Sequence, residues 1–271
     1  MVMKKSDLVC KEILQLRNKA YQEGVTLITP TGERHLAFSL CRRYIDAQSY
    51  TGPLQWVIAD DGETHLDIDE KMLAREFELV HLKRESVRDK TKSITGNVAS
   101  ALFHIKYDKV LIIEDDDFYF PNYIETAIQR LSNCTLVGEG SSRYYNIQFN
   151  KYRINHNLEH ASLFQTALRS SELEFLWVSC LKRTSAFIDT RLWNKEGITS
   201  KKIFVDKLTS VGIKGLPGRS GIGAGHRPGK HSHFFQKDPN WKVLKNWIGK
   251  ENAEVYIELA STLQQQQNGV S

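Results

Sequence analysis

A chain of 271 residues with 41% hydrophobic, 10% aromatic and 25% charged side chains has the length of one generous α/β domain and an ordinary globular composition. That composition excludes a disordered, collagen-like or coiled-coil chain. Its longest apolar runs, such as Val110 to Ile113, fall far short of the roughly 20 residues needed to cross a bilayer, and Met1 to Ala20 is charged throughout, so neither insertion nor export is expected. Cys10, Cys41, Cys134 and Cys180 lie far apart without a CxxC pair, which argues against a zinc site or disulfide framework and for a reducing cytoplasm. The net charge of +5 conceals an asymmetry: eight acids and two bases from Asp60 to Val80, against eleven bases and two acids from Lys201 to Lys250. The basic stretch suits either a solvated face or a polyanionic partner, which makes nucleic acid a candidate.

In chain order, Val25-Thr26-Leu27-Ile28-Thr29 is a β-branched apolar run ending at Pro30 and Gly32, the profile of a buried parallel strand meeting a turn. Phe38, Leu40, Cys41, Tyr44 and Ile45 then recur at helical spacing. A second strand, Leu54 to Ala59, enters Asp60-Asp61-Gly62. After an acidic, helix-prone stretch come the run Glu78 to Leu82 and a helix from Ile94 to Ile105. A further strand, Lys109 to Ile113, runs directly into Glu114-Asp115-Asp116-Asp117. This alternation predicts an α/β domain with a mostly parallel sheet flanked by helices. Ligands of such sheets bind at the carboxyl ends of the strands, which here carry Thr29-Pro30-Thr31, Asp60-Asp61 and Asp115 to Asp117.

Four consecutive carboxylates repel one another unless a divalent cation or a set of donors intervenes. Along an extended strand Asp115 and Asp117 point the same way and suit a single hard ion, Mg²⁺ or Mn²⁺, completed by substrate phosphates and water. A turn directly after the strand changes that geometry. The plainer reading is an acidic surface turn or helix N-terminus.

Together, the three strand ends resemble the nucleotide-sugar-dependent glycosyltransferases of the GT-A fold, in particular the family-two type. The resemblance spans roughly Gly24 to His226 and is most specific up to Tyr123. It implies a UDP-sugar donor and a DxD-type motif holding Mn²⁺ or Mg²⁺ on the diphosphate. It places Thr29, Pro30, Thr31 and Arg34 along the nucleotide, Asp60 or Asp61 at the base edge, Asn97 nearby, Asp115 and Asp116 on the donor, and Asp115, Asp117 and His226 at the metal. Glu114 stands where the family pattern has its first Asp, so either Asp116 or Asp117 is the main metal ligand. His231 and His233 are alternates to His226.

In the second half, Phe187-Ile188-Asp189-Thr190-Arg191 resembles the segment that supplies the base for the acceptor hydroxyl, which assigns Asp189 that role and implies inversion. A helix N-cap is the alternative. The tract Gly215 to Gly229 holds six glycines together with Arg219, His226 and Arg227, suited to close backbone approach to a phosphate or to a plain surface loop. Arg143, Tyr144 and Tyr145 with Lys151, Tyr152 and Arg153, in a stretch free of acids, suit phosphate contact with aromatic stacking, or a hairpin with cross-strand aromatic pairs.

The tract from Asp189 to the glycine-rich segment further resembles bacteriophage-type proteins associated with glycosylation of 5-hydroxymethylpyrimidine bases in DNA. That implies transfer of a sugar, glucose by the resemblance, to 5-hydroxymethylcytosine or 5-hydroxymethyluracil in double-stranded DNA, with Arg143, Tyr145, His160, Arg219 and Arg227 facing the acceptor and a cytoplasmic setting. The alternatives are transfer to a saccharide, lipid carrier or protein, and a non-catalytic DNA-binding protein. The expected organisation is one GT-A domain over 1–260, with a nucleotide-sugar half over about 22–130, an acceptor half over about 131–235, a helical segment over 236–260 and a disordered tail over 261–271.

Overall fold

Each strand read from the first half of the sequence is present close to its expected bounds, as is the helix around Phe38 to Ile45, while the helix expected over Ile94 to Ile105 runs from Lys90 to Leu102. The computed structural model describes residues 5–68, 77–87, 89–181, 187–219, 221, 224–226 and 234–268, apart from the side chains of 5–9, 90–91 and 266–268. Arg227, His231, His233 and most of the acidic stretch after Leu66 lie outside the described residues.

The chain begins with α1 (Lys5–Asn18), β1 (Gln22–Thr31), α2 (His35–Asp46), β2 (Leu54–Asp60), β3 (Glu78–Lys83), α3 (Lys90–Leu102) and β4 (Tyr107–Ile112). Next come β5 (Phe118–Tyr119), α4 (Tyr123–Arg130), β6 (Leu136–Glu139), β7 (Ser141–Asn146), β8 (Lys151–His156), β9 (Thr166–Arg169), α5 (Leu173–Leu181) and α6 (Ile188–Trp193). The chain ends with β10 (Lys201–Phe204), β11 (Ser210–Lys214), β12 (Gln236–Lys237), α7 (Lys242–Ile248) and α8 (Lys250–Asn268).

Seven strands form one sheet in the order β10-β6-β9-β4-β1-β2-β3. Within it β9 alone runs antiparallel to its neighbours β4 and β6, so the sheet is mostly parallel. Period-two alternation sends successive side chains to opposite faces, which both need cover because the strands are apolar throughout. Leu27, Trp56, Ile58 and Leu111 pack with α2 and the C-terminal helices, whereas Ile28, Val57, Ala59 and Val110 pack with α3 and α5. Strand β1 sits between β2 and β4, so Thr31 emerges between the acidic ends of its neighbours.

A second sheet, in the order β12-β8-β7-β11-β5, supplies the other wall. Strand β5 begins directly after the four carboxylates and pairs antiparallel with β11, Phe118 opposite Val211 and Tyr119 opposite Ser210. Continued in that register, the end of β11 runs alongside the carboxylate turn. The basic-aromatic segment is the β7–β8 hairpin. The tail expected to be disordered instead continues α8 as far as Asn268; its glutamines are good helix formers and extend a helix already nucleated by packing. No helix among the described residues is long and apolar enough to cross a membrane.

Candidate active site

The strand ends converge on a pocket of 540 Å³ lined by Pro30, Thr31, Arg34, Asn97, Asp115 and Asp116, with Asp189, His160, Arg219 and His226 on the same walls. Thus ten of the residues singled out from the sequence meet in one cavity. Thr31 Oγ1 donates to Asp115 Oδ2 at 2.6 Å. The Arg34 guanidinium, just before α2, bridges Asp115 Oδ1 at 3.1 Å and Asp116 Oδ2 at 2.8 Å.

At the end of β2, Asp61 is fully buried and accepts from Ser93 Oγ at 3.0 Å, Asn97 Nδ2 at 3.1 Å and Arg219 at 2.9 Å. Its Oδ2 has no hydrogen-bond partner among the described residues. The glycine-rich tract reaches this point because Gly218 adopts φ +99°, and a Cβ there would meet Glu33 O at 2.2 Å. Only glycine allows that close turn, after which the Arg219 amide donates to Glu33 O at 3.3 Å.

Burial sets the electrostatics of the acidic turn. It pushes Glu114 up to about 7, with Lys214 opposing it, and Asp115 up to about 6, with Arg34 opposing. Asp116 is the exception, because Arg34, Lys214 and His226 outweigh its burial and hold it below the ordinary carboxylate range. Asp189 lies in the first turn of α6 on the pocket wall. Its carboxyl is raised by burial, opposed by the Thr190 amide and by His160, so it is readier to hold a proton than an exposed aspartate. Phe187, not Asp189, occupies the N-cap position of α6.

Several expected roles do not survive the geometry. Thr29 is buried and its hydroxyl accepts from Trp56 Nε1 at 2.9 Å, so it belongs to the core. Asp60 closes its own turn by accepting from the Gly62 and Leu66 amides. Burial opposes its ionisation, but His81 at 3.6 Å and those two amides hold the carboxyl down at about 2. Asp61 is buried too and does not line the cavity itself, but it holds Ser93, Asn97 and Arg219, which do.

The pairing of Asp115 with Asp117 fails because β4 ends at Ile112 and the carboxylates occupy a turn. Asp117 points away from the cavity and accepts from the Ile213 amide at 3.0 Å and from Lys214 Nζ at 2.8 Å. On β7 the alternation runs opposite to expectation: Ser142 and Tyr144 line the pocket. Tyr145 is buried, donates to Asp238 Oδ2 at 3.0 Å and stacks on Trp241. Arg143 lies over the Trp247 ring.

The sequence reading missed Lys214, Ser93, Asn155 and Asn157, all of which line the cavity, as do Tyr144 and Arg153 of the basic-aromatic segment. Lys214 had a legible signal, since it ends an apolar strand just before Gly215, the position that marked the other strand ends. The described residues contain no group of three His, Cys, Asp or Glu placed to hold a metal. Asp116 Oδ2 and His226 Nε2 do lie 3.6 Å apart on the pocket wall. That pair fits a hard ion that takes its remaining oxygens from a phosphate, and does not fit one held by protein alone.

A mostly parallel sheet flanked by helices, with strand ends opening on one cavity, agrees with the GT-A class of α/β fold that the sequence resembles. The structure is similar to that of S. aureus TarS, with a TM-score of 0.51 at 10% identity, over 71% of this chain and 37% of that one. The mannosyltransferase PcManGT from Pyrobaculum calidifontis, in complex with GDP-Man and Mn²⁺, matches at a TM-score of 0.48 and 13% identity, over 98% of this chain and 83% of that one. At such identities the likeness to TarS establishes the fold, and the chain spans little more than a third of TarS. No protein-family profile and no curated protein matches the sequence.

Proposed function

We propose that the chain is an inverting glycosyltransferase that moves a sugar from a UDP-sugar to an acceptor hydroxyl. The observation that carries this reading is a single pocket lined by the ends of β1 and β4, by Asp189 and by the cations Arg34, Lys214 and Arg219. Asn97, Ser93 and Arg219, oriented by the buried Asp61, offer polar groups for a base edge. Arg34 and Lys214 lie where a diphosphate would need positive charge. Asp189 takes the proton from the acceptor hydroxyl, a role that its raised proton affinity favours. A divalent ion held by Asp116, His226 and the diphosphate would stabilise the charge of the leaving group.

For the acceptor, the reading is the hydroxymethyl group of a 5-hydroxymethylpyrimidine in DNA. It is supported by the resemblance of the Asp189-to-His226 tract and by the excess of bases between Lys201 and Lys250. The base would have to leave its stack to enter a cavity of this kind. A saccharide acceptor is the second reading, favoured by the amide-rich wall of Asn155, Asn157 and His160 beside Phe187, which is 56% exposed. Arg143 and Tyr145, turned to the other face of β7, support neither.

The test offers hydroxymethylated duplex DNA and, in parallel, oligosaccharides to the protein with a panel of UDP-sugars and Mn²⁺, and then weighs the digested nucleosides and the saccharides. A hexose gained by the modified nucleoside is the expected outcome. A hexose gained by the saccharides alone decides for the second reading, and no turnover of any donor defeats both.

A further inference from the structure

Four adjacent acids at the end of β4 call for cations, and the chain provides two of them itself. Lys214 Nζ lies 2.8 Å from Asp117 Oδ1 and 3.3 Å from Asp116 Oδ2, while Arg34 spans Asp115 and Asp116. Lys214 is only 7% exposed, and its position is built rather than incidental. Its carbonyl accepts from the Ile147 amide at 3.0 Å, and the neighbouring Ile213 amide donates to Asp117. Gly225 backs its stem so closely that a Cβ there would meet Lys214 Cγ at 3.0 Å.

A free divalent ion approaching Asp116 therefore meets a fixed ammonium and a guanidinium on the same carboxylate oxygen. Like charges at such separations repel strongly where water is excluded. The described residues assemble no group of three His, Cys, Asp or Glu that would hold the ion against that repulsion, and the neighbouring Asp115 and Asp117 are themselves taken up by Arg34 and Lys214. A diphosphate would supply that hold, because its oxygens complete the coordination of the ion and its charge also draws on Arg34 and Lys214. We infer that Lys214 is a resident counter-cation that closes the acidic cluster to free divalent ions, which enter only with the diphosphate of the donor. The second clause rests on the proposed function; the first does not.

Mn²⁺ uptake followed by the electron paramagnetic resonance of the free ion tests both clauses on the whole chain. Wild-type protein alone takes up no Mn²⁺ over the range titrated, and Lys214→Met takes it up without nucleotide with an affinity at least about tenfold tighter than the upper end of that range, roughly 1.4 kcal/mol. Lys214→Arg, which keeps the charge, stays closed. Lys214→Gln gives the same reading as the methionine variant if that one folds poorly, and Mn²⁺ raises the melting temperature of the neutral variants only. Uptake by wild type without nucleotide overturns the inference, as does a folded neutral variant no better than wild type. If UDP leaves wild-type uptake unchanged, the donor reading fails, while the Lys214 comparison still stands on the nucleotide-free arms.

Discussion

Arg219 donates to Asp61 Oδ1 at 2.9 Å across 158 positions of sequence, joining the glycine-rich tract to the end of β2. Asp61 is fully buried and also accepts from Ser93 and Asn97. Removing the guanidinium leaves a buried carboxylate without its counter-charge, which is costlier than removing both partners. Arg219→Met is expected to lower unfolding stability by about 3 kcal/mol and to abolish UDP binding. Asp61→Asn combined with Arg219→Met should cost less stability than Arg219→Met alone, as measured by urea unfolding in a double-mutant cycle. Simple additivity would show that the pair is not coupled.

Asp116 and Asp117 are neighbours with opposite surroundings. Asp116 lines the cavity beside His226, whereas Asp117 is turned toward β11 and holds Lys214 and the Ile213 amide. Asp116→Asn is expected to reduce turnover of a UDP-sugar by about 100-fold, the scale of losing one preorganised electrostatic contact. Asp117→Asn should leave donor affinity within about threefold of wild type and act on the melting temperature instead. Equal losses of turnover in the two variants would contradict the division of labour read from the turn.

The strand ends were legible because an apolar strand that stops at an acid or hydroxyl carries its own signature, and Pro30, Thr31, Asp115 and Asp116, which that rule picked out, do line the cavity. What the sequence concealed was direction. The alternation along β7 has two phases, and only the packing of Tyr145 against Trp241 and Asp238 selects the one that sends Tyr144 to the pocket. Asp115 and Asp117 failed as a pair because the strand ends before them, so period two no longer applies. Thr29 and Asp60 looked functional by position, yet Trp56 and the Gly62 and Leu66 amides claim their polar atoms. Lys214 carried a strand-end signal of its own, but its pairing with Asp116 and Asp117, in a turn almost a hundred residues away, is a contact that no local pattern records.

Glu114 makes the stability of the fold depend on pH in a direction opposite to that of most carboxylates. Burial raises it from its ordinary 4.5 to about 7, so the folded chain binds this proton more tightly than the unfolded chain. The stabilising contribution is full below the unfolded value and is lost as pH rises through about 7. Unfolding free energy is expected to fall between about pH 5 and 8, by no more than about 1.4 kcal/mol per pH unit for this one proton. Glu114→Gln, which keeps the neutral shape, should flatten that part of the profile relative to wild type. An unchanged slope in denaturant midpoints would assign the dependence to another group.

In the proposed transfer Asp189 acts on the acceptor rather than on the donor. It stands in the first turn of α6 within the influence of His160, while the donor-side groups Thr31, Arg34 and Asp61 belong to the other half of the chain. Asp189→Asn keeps the shape and removes the base, so UDP affinity should stay within about twofold of wild type while sugar transfer falls by about 10² to 10⁴. Single-turnover transfer with bound donor separates these effects, since a loss of binding would disappear at saturating donor and a loss of the base would not. Because burial raises the carboxyl, transfer by wild type should decline on acidification at a higher pH than an exposed aspartate would give. Near wild-type transfer by Asp189→Asn would remove this residue as the base and leave it a structural member of the α6 turn.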